Sequence, residues 1–115
     1  MYEFYFEKLE VWQNARILNK DVYLLTSKFP KEELFAIVSQ LRRATSSIAA
    51  NTSEGMSRET SKEKKRFLNI AYALAMEVIN FLNLSLDFLT EVEYRDIRSK
   101  IEHITNQLRA LSKKV

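Results

Sequence analysis

The sequence predicts an all-α protein, an antiparallel up-down-up-down four-helix bundle, on three observations. Apolar residues recur at spacings of three and four along four separate stretches of the 115 residues. One glycine, one proline and no cysteine leave little of the turn chemistry that hairpins need, so the elements must be few and long. The connections between the periodic stretches are short, which makes neighbours in sequence neighbours in space. At this length the chain forms a single domain, residues 1–115, able to bury roughly two-thirds of its unfolded surface.

An aromatic leader, Tyr2, Phe4, Tyr5 and Phe6, precedes a first helix predicted over about 8–28. Its seam is Val11, Ala15, Leu18, Val22, Leu25 and Phe29, a heptad-like 4, 3, 4, 3, 4 spacing. Phe29-Pro30 ends it, because the residue before proline is pushed out of the α region. Pro30 with Glu32 and Glu33 suits the first turn of a second helix over about 30–54, with Leu34, Ile37, Val38, Leu41, Ala44, Thr45 and Ile48 turned inward. Gly55 is expected to supply the left-handed residue that closes this helix.

Thr60-Ser61-Lys62-Glu63 has the T-x-x-E form of a capping box and opens a third helix over about 61–89. That helix carries two apolar lines. One is Phe67, Ala71, Leu74, Val78, Phe81 and Phe88; the other is Leu68, Tyr72, Ala75, Ile79, Leu82, Leu86 and Leu89. At roughly 1.5 Å per residue it is ~40 Å long, and subunit contacts are expected to cover part of it. Asn69, Glu77, Asn80, Asn83 and Asp87 interrupt it with a polar edge, so it reads as a buried helix of a soluble fold and not as a membrane span. The fourth helix, about 91–113, shows Tyr94, Ile97, Ile101, Ile104, Leu108, Leu111 and Val115 at alternating spacings of three and four.

The second helix holds the most unusual surface. Gln40, Arg43, Ser47, Asn51 and Glu54 fall on one face, beside a line of Arg42, Ser46, Ala49 and Ser53 that is mostly small. Amides, a hydroxyl, an Arg and a Glu can satisfy one another at a protein contact, so Gln40, Arg42, Arg43, Ser47, Asn51, Glu54 and Gly55 are read as structural or assembly residues. Removing Arg43 or Glu54 is expected to weaken folding or assembly more than binding, if either sits in a dry pair. Glu77 joins this group as a paired or edge carboxylate, since no second titratable group accompanies it for acid catalysis.

Enzymatic chemistry finds little to work with. His103 alone cannot make a zinc or di-iron site, Ser46 and Ser47 lack a sequence-adjacent base, and lone Gly55 makes no phosphate cradle. No cofactor or metal is expected. The acidic start, Glu3 and Glu7 among the aromatics, is unlike a signal peptide, and absence of cysteine makes the cytoplasm the default.

Net charge is only +3, but it is uneven. Residues 58–66 carry five basic against two acidic groups, 67–94 four acids and no base, and 95–115 six basic against two acidic. Arg58, Lys62, Lys64, Lys65 and Arg66 form the candidate polyanion site, positive at a helix start where the dipole disfavours it. Lys113 and Lys114 read more as tail than as site.

From Gln40 to Gly55 the pattern Q-L-R-R-x-x-x-S-I-x-x-N-x-x-E-G resembles that of the four-helix-bundle or 23S rRNA intervening-sequence proteins, and every fixed position is matched. The similarity extends to Phe6-x-x-Leu9-x-Val11-Trp12, Phe29-Pro30-x-x-Glu33, and Phe67-Leu68-x-Ile70-Ala71 with Glu77 beyond; Thr52 departs where an aliphatic residue is more frequent. The resemblance implies a left-handed antiparallel bundle assembled as a homo-oligomeric ring, often a pentamer. It further implies either nucleic-acid contact or, as in the similar accessory variability determinant of diversity-generating retroelements, docking of a partner reverse transcriptase. The expected function is non-enzymatic binding of RNA or DNA, weak and without sequence specificity; the alternative is a protein-interaction scaffold.

Overall fold

A computed structural model describes all of residues 1–115. Four helices carry the fold: α1 (Glu10–Thr26), α2 (Ser39–Met56), α3 (Ser61–Leu84) and α4 (Glu91–Lys114), with no strand. α2 packs on α1 and most extensively on α3, α4 packs on both α3 and α1, and the chain fills 43 × 29 × 22 Å.

The expected seams meet in one core. All six residues of the α1 line are buried, as are Ile97, Ile101, Ile104, Leu108 and Leu111 of α4. Buried hydroxyls are satisfied within their own helices: Thr45 donates to the Leu41 carbonyl at 2.7 Å and Thr52 to that of Ile48 at 2.8 Å. Thr52 therefore replaces an aliphatic side chain without stranding a polar atom. α3 is long and apolar enough, by length and composition, to cross a membrane. In this fold it buries Phe67, Leu68, Ala71, Ala75, Val78 and Leu82 against the other helices.

Four expectations are corrected. Pro30 is extended, at φ −54°, ψ 142°, and does not open a helix. A 3-10 turn (Lys31–Glu33) and a π-type turn (Leu34–Val38) follow, and the turn breaks at Ala36 with φ −116°, ψ −109°. That break shifts the phase of the seam, leaving Leu34 45% and Phe35 93% exposed and Ile37 half-buried, while Val38, Leu41, Ala44, Thr45 and Ile48 are buried as expected.

The third helix stops at Leu84. Ser85 is buried with φ −103°, ψ 12°, and a 3-10 turn (Leu86–Phe88) carries the chain away, so Leu86 points outward and Phe88 meets the Phe29 ring at 5.3 Å. At Thr60 only half the capping box forms: its hydroxyl accepts from the Glu63 amide at 3.1 Å, but the Glu63 carboxylate turns to Arg66. The complete box stands instead at Thr90 and Glu93, opening α4.

Gly55 is not left-handed; no residue has positive φ. It lies buried inside α2, where a Cβ would come within 2.9 Å of the Phe67 Cβ and 3.4 Å of the Lys64 carbonyl oxygen. Glycine is required there because α2 and α3 converge, not because the backbone reverses.

Candidate nucleic-acid interface

Of the five cations expected at the α2–α3 turn, three are occupied within the chain. Arg58 pairs with Glu54 at 3.2 Å and stands over the Phe67 ring at 4.6 Å. Arg66 pairs with Glu63 at 3.2 Å and stands over the same ring at 4.8 Å. Lys64 donates to the Arg58 carbonyl, tying down the turn. Lys62 and Lys65 are exposed and make no ion pair.

The fold adds two cations from α4, Arg109 and Lys113. Ser61 donates to the Val115 carbonyl at 2.9 Å, Arg109 lies 3.9 Å over the Tyr72 ring, and Tyr94 donates to Asn83. Residue numbers thus rise along α3 as they fall along α4, which sets Lys62 and Lys65 beside Arg109 and Lys113, while Lys114 lies on the other side of α4 with Leu9, Glu10 and Gln107. None of Lys62, Lys65, Arg109 and Lys113 takes part in an ion pair. They form a strip of unneutralised positive charge drawn from two helices, whereas the predicted cluster was drawn from one. The sequence signal was present as two basic segments; what joins them is the helix pairing.

The residues read as assembly positions divide. Gln40, Arg43 and Glu54 are exposed on the outer face of α2, with Ser47 and Asn51 half-buried between them, and Asn51 donates to the Ser47 carbonyl at 2.8 Å. Arg43 has no ionic partner, and Glu54 pairs only with exposed Arg58, so neither forms the dry pair that folding would depend on. Arg42 is structural: its Nε donates to Thr26 at 3.0 Å and its guanidinium lies 4.2 Å over Tyr23, fastening α2 to α1. Glu77 is exposed and unpaired, the edge position of the two foreseen. His103 is exposed beside Asn14, Ile17 and Lys100.

Shifted ionisations lie elsewhere, on α4. The hydrogen bond from Lys28, then the Thr90 amide, hold the Glu93 carboxyl below the ordinary carboxylate range. Asp21 first, helped by Asp96, holds the Lys100 ammonium above the ordinary lysine range. Hydrogen bonds to Tyr94 and Glu102 raise Arg98. These groups brace helices and leave the strip untouched.

No curated protein matches this chain in sequence. In structure it is similar to a protein of unknown function from the S23 ribosomal protein family of Bacteroides thetaiotaomicron VPI-5482, at a TM-score of 0.80 and 24% identity, over 90% of this chain and 98% of that one. That likeness extends the four-helix fold to the full length of the neighbour. The model of the 23S rRNA-intervening sequence proteins matches residues 7–110, nearly all of the four helices, and the chain belongs to that family.

Proposed function

We propose that this chain is a non-enzymatic, cytoplasmic binding module whose up-down-up-down bundles associate into a homo-oligomeric ring, a pentamer by family resemblance, and hold RNA or DNA weakly without reading its sequence. One observation carries the binding: Lys62, Lys65, Arg109 and Lys113 stand together, exposed and unpaired. Cations already neutralised by carboxylates gain little from phosphate, whereas free ones release counterions when they bind it. Arg58, Lys64 and Arg66, expected as direct contacts, act mainly to hold the turn from which Lys62 and Lys65 project. Repetition makes a small charge useful, since five copies of +3 amount to about +15 on one assembly.

Filter binding across salt tests this. Wild-type affinity for RNA or duplex DNA should fall as salt rises, and Lys65→Ala or Lys113→Ala should each lower the salt slope by about 1 while weakening all sequences alike. Binding that is undetectable at low salt, or insensitive to salt, would sink the proposal. Light scattering tests the ring, because a species of 13.5 kDa at micromolar concentration would remove the avidity.

A second reading, a scaffold docking a partner enzyme such as a reverse transcriptase, draws support from the other end of the bundle. There Phe35, Leu34 and Tyr23 leave an apolar surface beside Arg42 and Arg43.

A further inference from the structure

The strip contains one contact that charge alone does not account for. Arg109 places its guanidinium 3.9 Å from the centroid of the Tyr72 ring, within van der Waals reach of the ring face. Tyr72 is half-buried against the core and held in place, while Arg109 itself is exposed and has no carboxylate partner. One face of the guanidinium is therefore backed by an aromatic ring and the other is open. The contrast with Phe67 is instructive. That ring also carries guanidiniums, but Arg58 and Arg66 are both engaged by carboxylates, and Phe67 is 7% exposed.

A planar guanidinium stacks on a nucleobase, and a fixed one does so at smaller entropic cost than a free side chain. Bases inside a duplex keep their faces covered by their neighbours; those of a single strand are free to stack on such a platform. Lys113 lies one turn beyond Arg109 on α4, and Lys65 two turns from Tyr72 on α3, ~10 Å away at helical rise, so both helices offer phosphate contacts on one side of the platform, toward the Ser61–Val115 end. We infer that the α3–α4 groove is a single-strand site, with Arg109 on Tyr72 stacking an unpaired base and Lys62, Lys65 and Lys113 following the backbone. This rests on the nucleic-acid reading above and narrows its ligand to single-stranded RNA or DNA.

Fluorescence anisotropy at low salt, with labelled oligouridylate, an abasic strand of equal length and a duplex of equal length, tests it on the full-length protein. Wild type should bind the oligouridylate at least fivefold more tightly than either of the others. Arg109→Lys keeps the charge and removes the planar face, so it should lose that margin, lowering oligouridylate affinity severalfold more than abasic or duplex affinity. Tyr72→Leu, which leaves every cation in place but takes the backing ring from under Arg109, should reduce the margin in the same direction. If Arg109→Lys retains the margin, or wild type binds the abasic strand as tightly as the oligouridylate, the stacking platform is wrong while the charged strip survives. If none of the three probes binds in a salt-dependent way, nucleic-acid binding itself falls, and the apolar Phe35 surface becomes the place to seek a partner.

Discussion

Where α2 runs beside α3, Gly55 has no room for a Cβ against Phe67, and both helices bury small residues: Ala44, Thr52 and Gly55 on one, Ala71 and Ala75 on the other. Where α1 runs beside α4, polar side chains reach across. Asn14 donates to Gln107 at 3.0 Å, Lys100 to Asp21 at 2.6 Å, and Lys28 pairs with Glu93. The members step by seven residues on each helix, 14, 21, 28 against 107, 100, 93, so every second turn carries a rung. The first seam is set by volume, which tolerates little change; the second is set by hydrogen bonds at the edge of solvent, which water can partly replace.

That difference predicts a ranking. Ala75→Leu, at a site with 0% exposure on α3, should be the most damaging, costing about 3 kcal/mol through forced separation of the helices. A thermal melt at fixed protein concentration reads it. A cost below that of any rung would mean that the packed seam has slack.

Gly55→Ala comes next, at about 1 to 2 kcal/mol net, because a methyl 2.9 Å from the Phe67 Cβ outweighs the ~1 kcal/mol that alanine gains over glycine within a helix. Gly55→Asn should be worse still. That order separates close approach from helix closure: at a left-handed position asparagine is the better tolerated of the two, so Asn melting above Ala would overturn the steric account.

These sites show what could be read from the sequence and what could not. The seams of α1 and α4 were legible because a heptad pattern survives any detail of packing. Gly55 was legible as a constrained residue but not as to which constraint, since glycine serves positive φ and close backbone approach alike. Leu34 fitted the helical period and still lies outside, because the period cannot register the break at Ala36. The apolar run past Leu84 likewise conceals the turn at Ser85, whereas the T-x-x-E at Thr90 is as visible in the sequence as the one at Thr60. At the candidate interface the cations were countable in sequence. Which of them are free depends on whether a carboxylate lies within reach, and which share a face depends on the helix pairing; the first places Arg58 and Arg66 in pairs, the second brings Arg109 and Lys113 in from α4.

The α1–α4 seam should yield the smallest effects, and they should depend on pH. Asp21→Asn removes one rung and should cost about 0.5 kcal/mol, since Lys100 keeps Asp96 at 3.1 Å. Glu93→Gln removes the carboxylate from both Lys28 and the Thr90 cap. Because the folded carboxyl titrates below its ordinary range, its contribution is present above that range and lost as pH falls through it. The melting difference between wild type and Glu93→Gln should therefore be widest near neutral pH and close in acid. The Lys100 rung has the opposite sense: its raised pKa makes its contribution complete below the ordinary lysine range and removes it as pH climbs through the higher folded value. Wild type should consequently lose the α4 cap and one rung in acid and a different rung in strong base, while Ala75→Leu stays equally destabilised across the same scan. A Glu93→Gln melting difference that persists unchanged at low pH would show that the side chain acts there through packing or neutral hydrogen bonding, and the contrast between the two seams would lose its electrostatic half.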